Sequence, residues 1–137
     1  MLAAWSSVVA GLPVLIVHLA VTTAIFIAGL VVYLYVTPYR ELALVRQGNT
    51  AAGIALAGEM LALAVPLSAT LAKSVSVPDI ALWGSIAVVL QLIAFAAIAL
   101  LLRQLPAAIE RGEVASALVL AAAQISTGLL NAAAMSG

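Results

Sequence analysis

One carboxylate, Glu59, stands inside a long apolar run from about Ala51 to Ala72, and two amides, Gln91 and Gln124, stand at similar depth in two later runs. An acid near the centre of a membrane span costs about 2.5–3.5 kcal/mol on insertion scales. Glu59 must therefore be protonated, paired or turned toward water. Two chemistries fit. Either a neutral acid is hydrogen-bonded to Gln91 or Gln124, or the three side chains line a proton or cation site. His18 lies about 14 Å from Glu59 along the membrane normal at 1.5 Å per residue, too far for a direct pair in one chain. It matches Asn131 in depth instead. There it reads as a hydrogen-bonded outer histidine or as a pH-responsive group at a pore mouth.

Little else in the chain can do chemistry. It has no cysteine, one histidine and five acids, which leaves no thiolate, no disulfide and no set of residues for a dedicated metal cage. No Ser/His pair at catalytic spacing and no glycine-rich phosphate loop occurs. The reading is non-enzymatic and without a cofactor. A net charge of zero argues against nucleic acid as a partner.

The elements that position these residues are set by composition. Of 137 residues, 66% are hydrophobic and 7% charged, with a mean hydropathy of +1.30, against about 25% charged in soluble domains. Lipid is the solvent such a surface requires. Four runs reach the roughly 20 residues that cross a bilayer as helix: about Leu12–Val36, Ala51–Ala72, Ile80–Leu102 and Val114–Met135. Nothing alternates over strand-length pieces as a barrel would. Thr37-Pro38, Gly48-Asn49-Thr50, Pro78-Asp79 and Arg111-Gly112 punctuate the runs, with Asn49 or Thr50 and Asp79 as expected N-caps. The first run has no basic n-region before it and is too long for a signal h-region, so it reads as a retained helix.

The fold class is therefore all-α, an integral membrane protein with four transmembrane helices in one domain, residues 1–137. Arg46-Gln47-Gly48-Asn49-Thr50-Ala51 recurs loosely as Glu110-Arg111-Gly112-Glu113-Val114-Ala115. The chain reads as one helical hairpin written twice, repeat one over about 1–72 and repeat two over about 73–137. Both hairpins start on the same side, so the repeats are parallel, unlike the inverted repeats of many alternating-access transporters.

Orientation follows from the basic residues. The first and third loops hold Arg40, Arg46, Arg103 and Arg111, and the other side holds only Lys73. This places the arginine loops in the cytoplasm and both termini outside. Pro38–Arg46 and Pro106–Arg111 read as short interfacial helices that tether the hairpins, the first laying Leu42 and Val45 on headgroups. Trp5 and Trp83 outside, and Tyr33, Tyr35 and Tyr39 inside, read as aromatic belts. Small and polar residues recur at spacings of four and three: Gly11, Leu15, His18, Thr22, Ile25 and Gly29 in the first span, Gly84, Ala87, Gln91 and Ala94 in the third, and Ala117, Ala121, Gln124, Gly128 and Asn131 in the fourth. These are seams of the kind that pack membrane helices. The Glu59 face, with Ala52, Ala55, Ala62 and Pro66, points into the bundle or toward a neighbouring chain.

Thr37-Pro38, Glu41-Leu42, Arg46-Gln47-Gly48-Asn49 with Ala51-Ala52, Pro66-Leu67, Asp79, Trp83, Gln91-Leu92 and Gly128-Leu129-Leu130-Asn131 together resemble the domain-of-unknown-function family numbered 350, over about Val32 to the C-terminus. The resemblance implies a small bacterial inner-membrane protein of four helices in two repeats, its termini periplasmic on the orientation above, and carries no activity or cofactor. Glu41 and Asn49 match the family pattern and, with Arg40, Arg46, Arg103 and Arg111, lie at the cytoplasmic interface on the orientation above, where capping and linker bonding suit Glu41 and Asn49 better than catalysis. Glu59 departs from the family pattern, which has a small or apolar residue there. The expected function is that of a structural or accessory subunit, packing as a homo-oligomer or in a larger membrane complex. The second reading is a homo-oligomeric proton or cation conductor built on Glu59, Gln91 and Gln124.

Overall fold

A computed structural model describes residues 1–137 and contains six helices: α1 (Leu2–Val36), α2 (Glu41–Arg46), α3 (Thr50–Lys73), α4 (Val77–Leu101), α5 (Leu105–Glu110) and α6 (Val114–Ser136). Four of them, α1, α3, α4 and α6, are long and apolar enough to cross a membrane. The fold is all-α, as its composition requires.

Local chemistry sets the ends. Pro38 disfavours helical geometry at Thr37, which turns extended, and the Thr37 hydroxyl and N–H both donate to the Tyr33 carbonyl (2.7 and 2.9 Å). Asn49 caps α3, its Oδ1 accepting from the Ala52 N–H at 3.0 Å. Asp79 is not the cap of α4. Ser76 is, and Asp79 occupies the third helical position and accepts from the Ser76 hydroxyl at 2.8 Å. Ser76 and Asp79 thus form a reciprocal capping pair around Pro78, whose missing N–H costs nothing in a first turn. The first helix begins ten residues before the expected start, because the apolar run is preceded by residues that propagate helix equally well.

The two arginine-bearing linkers have the same construction. Gly48 and Gly112 take φ of 83° and 82°, which a residue with a side chain resists. At each, the glycine N–H returns three residues back and the next N–H returns five, to Val45 and Leu44 in one linker and to Ile109 and Ala108 in the other. This glycine-terminated cap ends the short helix and launches the next long one within two residues.

The long helices pack as a bundle in which α3 and α6 make the most extensive contact, α1 lies against α4 and α3, and α4 touches all three others. The paired helices run parallel. Along α3 and α6, Gly58 faces Ala121, Ala62 faces Gly128 and Thr70 meets Met135. Along α1 and α4, Ile25 faces Gly84, Gly29 faces Val88 and Tyr33 packs edge-on to Phe95. The expected seams are the buried faces: Gly84, Ala87 and Gln91 on α4, and Ala117, Ala121, Gln124 and Gly128 on α6. On α3, Ala52, Ala55, Glu59, Ala62 and Pro66 are all buried. The seam of α1 is used only from Thr22 inward.

That difference leaves an overhang. Gly84 lies seven residues into α4, and seven residues back from its partner Ile25 is His18. The segment before His18 rises roughly 24 Å past the outer end of α4, and every residue from Leu2 to Val17 is exposed.

A Cβ at Gly58 would lie 2.6 and 2.7 Å from Ala121 Cβ and Cα, and one at Gly128 would lie 2.6 Å from the Ala62 carbonyl oxygen. Backbone cannot step aside as a side-chain tip can. Gly58→Ala and Gly128→Ala should each lower thermal stability in detergent by about 1–3 kcal/mol, the usual cost of overpacking. Gly53→Ala on the same helix, with nothing within 4 Å, should be neutral or slightly stabilising.

Candidate functional site

The close approach of α3 and α6 brings the three mid-span polar residues together inside one chain. Gln124 Nε2 donates to Glu59 Oε2 at 2.8 Å, and Gln91 Nε2 donates to the Gln124 backbone carbonyl at 3.1 Å. Glu59, Gln91 and Gln124 are each 0% exposed. Glu59 Oε1, Gln91 Oε1 and Gln124 Oε1 have no hydrogen-bond partner. Buried polar atoms normally find one, so three unpartnered oxygens in one network mark a polar interior with surplus acceptors. Pro66 supplies no N–H to the carbonyl of Ala62, one turn from Glu59 on the same face. That oxygen points at Gly128.

Of the outer pair, Asn131 joins this interior and His18 does not. Asn131 Nδ2 donates to the Ala87 carbonyl at 3.0 Å, and its Oδ1 is also without a partner. Ala87 lies inward of Gly84 on α4, whereas His18 lies outward of the Ile25 that meets Gly84. The two do not share a level. The outward extension of α1 displaced the helix centre from which their depths were counted. His18 is half-buried, and its backbone carbonyl accepts from the Thr22 hydroxyl at 2.8 Å.

A second carboxyl site lies at the arginine end of the bundle, where sequence reasoning saw only linker bonding. Glu41, the first residue of α2, is 2% exposed. Its Oε1 accepts from the Tyr33 hydroxyl at 3.0 Å, with the Tyr39 hydroxyl at 3.5 Å, and its Oε2 has no partner. Burial pushes the carboxyl up to about 7 against the opposing pull of the two phenols. Burial and the adjacent Glu41 push the Tyr39 phenol up as well, so it stays a donor. The signal for this site is two tyrosines within eight residues of an acid at a helix start, a pattern that the neighbouring arginines disguise as surface.

The remaining interface residues bind structure together. Asn49 Nδ2 donates to the carbonyls of Ile109 and Glu110 at 3.0 and 3.3 Å, tying the cap of α3 to the end of α5. Arg111 pairs with Glu113 at 2.9 Å and its hydrogen bond holds that carboxyl below the usual carboxylate range, but both side chains are about half exposed, where ion pairs stabilise little. Arg40, Arg46 and Arg103 are exposed.

Four apolar spanning helices joined by two glycine-capped linkers define a small polytopic membrane protein. The chain belongs to the family described as Domain of Unknown Function (DUF350), whose model matches residues 7–135. The match reaches well before Val32 and so includes α1. The chain is 37% identical over 112 residues to UPF0719 inner membrane protein YjfL of Escherichia coli strain K12, covering 82% of this chain and 85% of that one, and to the same protein of strain O157:H7 to the same extent. No solved structure matches.

Because the folded Glu41 carboxyl holds its proton up to about pH 7 while an unfolded one releases it near 4.5, the folded chain binds this proton more tightly. The stability it contributes is complete below about pH 4.5 and lost as pH rises through 7, about 3 kcal/mol in all. Glu41→Gln, which keeps an acceptor for Tyr33, should remove that fall from thermal melts recorded between pH 5 and 8.

Proposed function

We propose that the chain is a non-catalytic subunit of a homo-oligomer in the bacterial inner membrane, with both termini periplasmic and the arginine loops cytoplasmic. The observation that carries this reading is the overhang of α1. From Leu2 to Val17 it presents Val8, Val9, Leu12, Leu15 and Ile16 on a helix of which every residue is exposed. At 1.5 Å per residue the 35-residue α1 is about 52 Å long, well beyond the roughly 30 Å of apolar bilayer, so lipid alone does not cover this stretch. The seam that packs α1 against α4 through Ile25 and Gly29 continues outward as His18, Leu15 and Gly11 at the same spacing, and a Cβ added at Gly11 would meet no neighbouring element within 4 Å. A second copy of α1 is the simplest partner for such a stripe, since Gly11 permits close backbone approach and His18 offers a polar contact across it. The inner-membrane setting is supported by the name of the Escherichia coli relative, and the orientation by four arginines on one side against Lys73 on the other.

A homo-oligomeric proton or cation conductor is the second reading, supported by the convergence of Glu59, Gln91 and Gln124. Their burial within one chain favours a path inside each copy over an axis between copies. Loss of proton and cation flux in liposomes on Glu59→Gln would support it, and unchanged flux would remove it.

Native mass spectrometry from mild detergent should give a multiple of the 13.9 kDa chain. Gly11→Trp should shift the population toward single chains, since a bulky side chain keeps two such stripes apart. A wild-type particle of one chain would contradict the oligomer.

A further inference from the structure

The polar interior holds a carboxyl group that no cationic side chain accompanies. Around Glu59, α4 and α6 contribute the amides Gln91 and Gln124, and the titratable groups toward the arginine end are Tyr33 of α1 and Glu41 of α2. No cationic side chain is hydrogen-bonded or ion-paired to Glu59. Arg40, Arg46, Arg103 and Arg111 are exposed at the arginine end, Lys73 donates to the Ser136 carbonyl at the opposite end, and His18 lies midway along α1, outward of the Ile25 that meets Gly84. Glu59 Oε1, Gln91 Oε1 and Gln124 Oε1 are all buried and without donors in the network that joins the three residues, as is Asn131 Oδ1 further outward, and Pro66 leaves the Ala62 carbonyl, one turn from Glu59, without its helix N–H.

We infer that Glu59, Gln91 and Gln124, with the Ala62 carbonyl, form a buried site for one sodium-sized monovalent cation, which competes there with a proton on Glu59. Oxygen-only ligands select a hard cation or a proton over softer metals. One carboxylate balances one unit of positive charge, so a monovalent ion leaves the interior neutral. A divalent ion would leave a net charge in a dry, low-dielectric setting at a cost of several kcal/mol. Helix carbonyls freed at irregular turns bind sodium and protons in membrane proteins by the same logic. The backbone contacts at Gly58 and Gly128 hold α3 and α6 too close for a large ion between them. A cleft lined by Thr70, Lys73, Asp79, Trp83 and Met135 lies at the outer end of the bundle, beyond Asn131.

The site is the one named in the conductor reading, but binding requires no flux, so the two fail separately. The test uses the wild-type protein in detergent and dicyclohexylcarbodiimide, an apolar reagent that modifies protonated carboxyls in apolar surroundings. Peptide mass mapping follows Glu59 and Glu41 separately. At equal ionic strength, labelling of Glu59 should be severalfold slower in sodium chloride than in choline chloride, and the difference should widen as pH rises and fewer protons compete. Labelling of Glu41 should not respond to the choice of salt. Equal rates at Glu59 in the two salts across the pH range, or no labelling of Glu59 in either, overturn the inference.

Discussion

The backbone contact between α3 and α6 is the constraint on which the rest of the structure depends. Lipid tails are as apolar as the helices, so no hydrophobic force draws spans together, and close packing must supply the attraction. Gly58 against Ala121 and Gly128 against the Ala62 carbonyl let the two helices approach at two levels one to two turns apart. The contact fixes register as well as distance, since shifting either helix by one residue would drive a side chain into backbone. With α3 and α6 held parallel, the two hairpins they belong to are parallel too, and α1 and α4 fall into the same relation around them.

The polar groups follow from that register. Glu59 follows Gly58, and Gln124 lies one turn from both Ala121 and Gly128, so the contact that joins the helices also places the amide on the carboxyl. A buried carboxylate answered by a single donor would be a poor bargain if helix association were all it served. An apolar pair of similar volume would pack the same interface without stranding three oxygens. The polar cluster is thus an addition to a contact that glycine and alanine already make.

Much of this is legible in the residues. The seams on α4 and α6 stand out because small and polar residues recur at helical spacing while their neighbours are Leu, Ile and Val. They are buried as that spacing requires. The choice of Gln91 and Gln124 over His18 as neighbours of Glu59 came from counting depth along straight helices, and Gln124 proves to be the direct donor. The same counting misplaced His18 against Asn131, because the true start of α1 is not marked by any cap or break. Glu41 was harder to see. An acid beside Arg40 in a loop has the composition of a surface, and only the fold shows that Tyr33 and Tyr39 close over it. The capping role of Ser76 was hidden in the same way, since Asp79 is an equally good cap by type and only geometry separates them.

The absence of cysteine makes the central register directly measurable. Thr70 Oγ1 and Met135 Sδ touch at 3.4 Å across the outer end of the α3–α6 contact. In a chain carrying Thr70→Cys and Met135→Cys, mild oxidation in the native membrane should join the two residues within one chain, giving a monomer of altered mobility that reverts on reduction. A bond formed only between two chains, or none at all, would mean that α3 and α6 of one chain do not meet in this register, and the placement of Gln124 on Glu59 would fall with it.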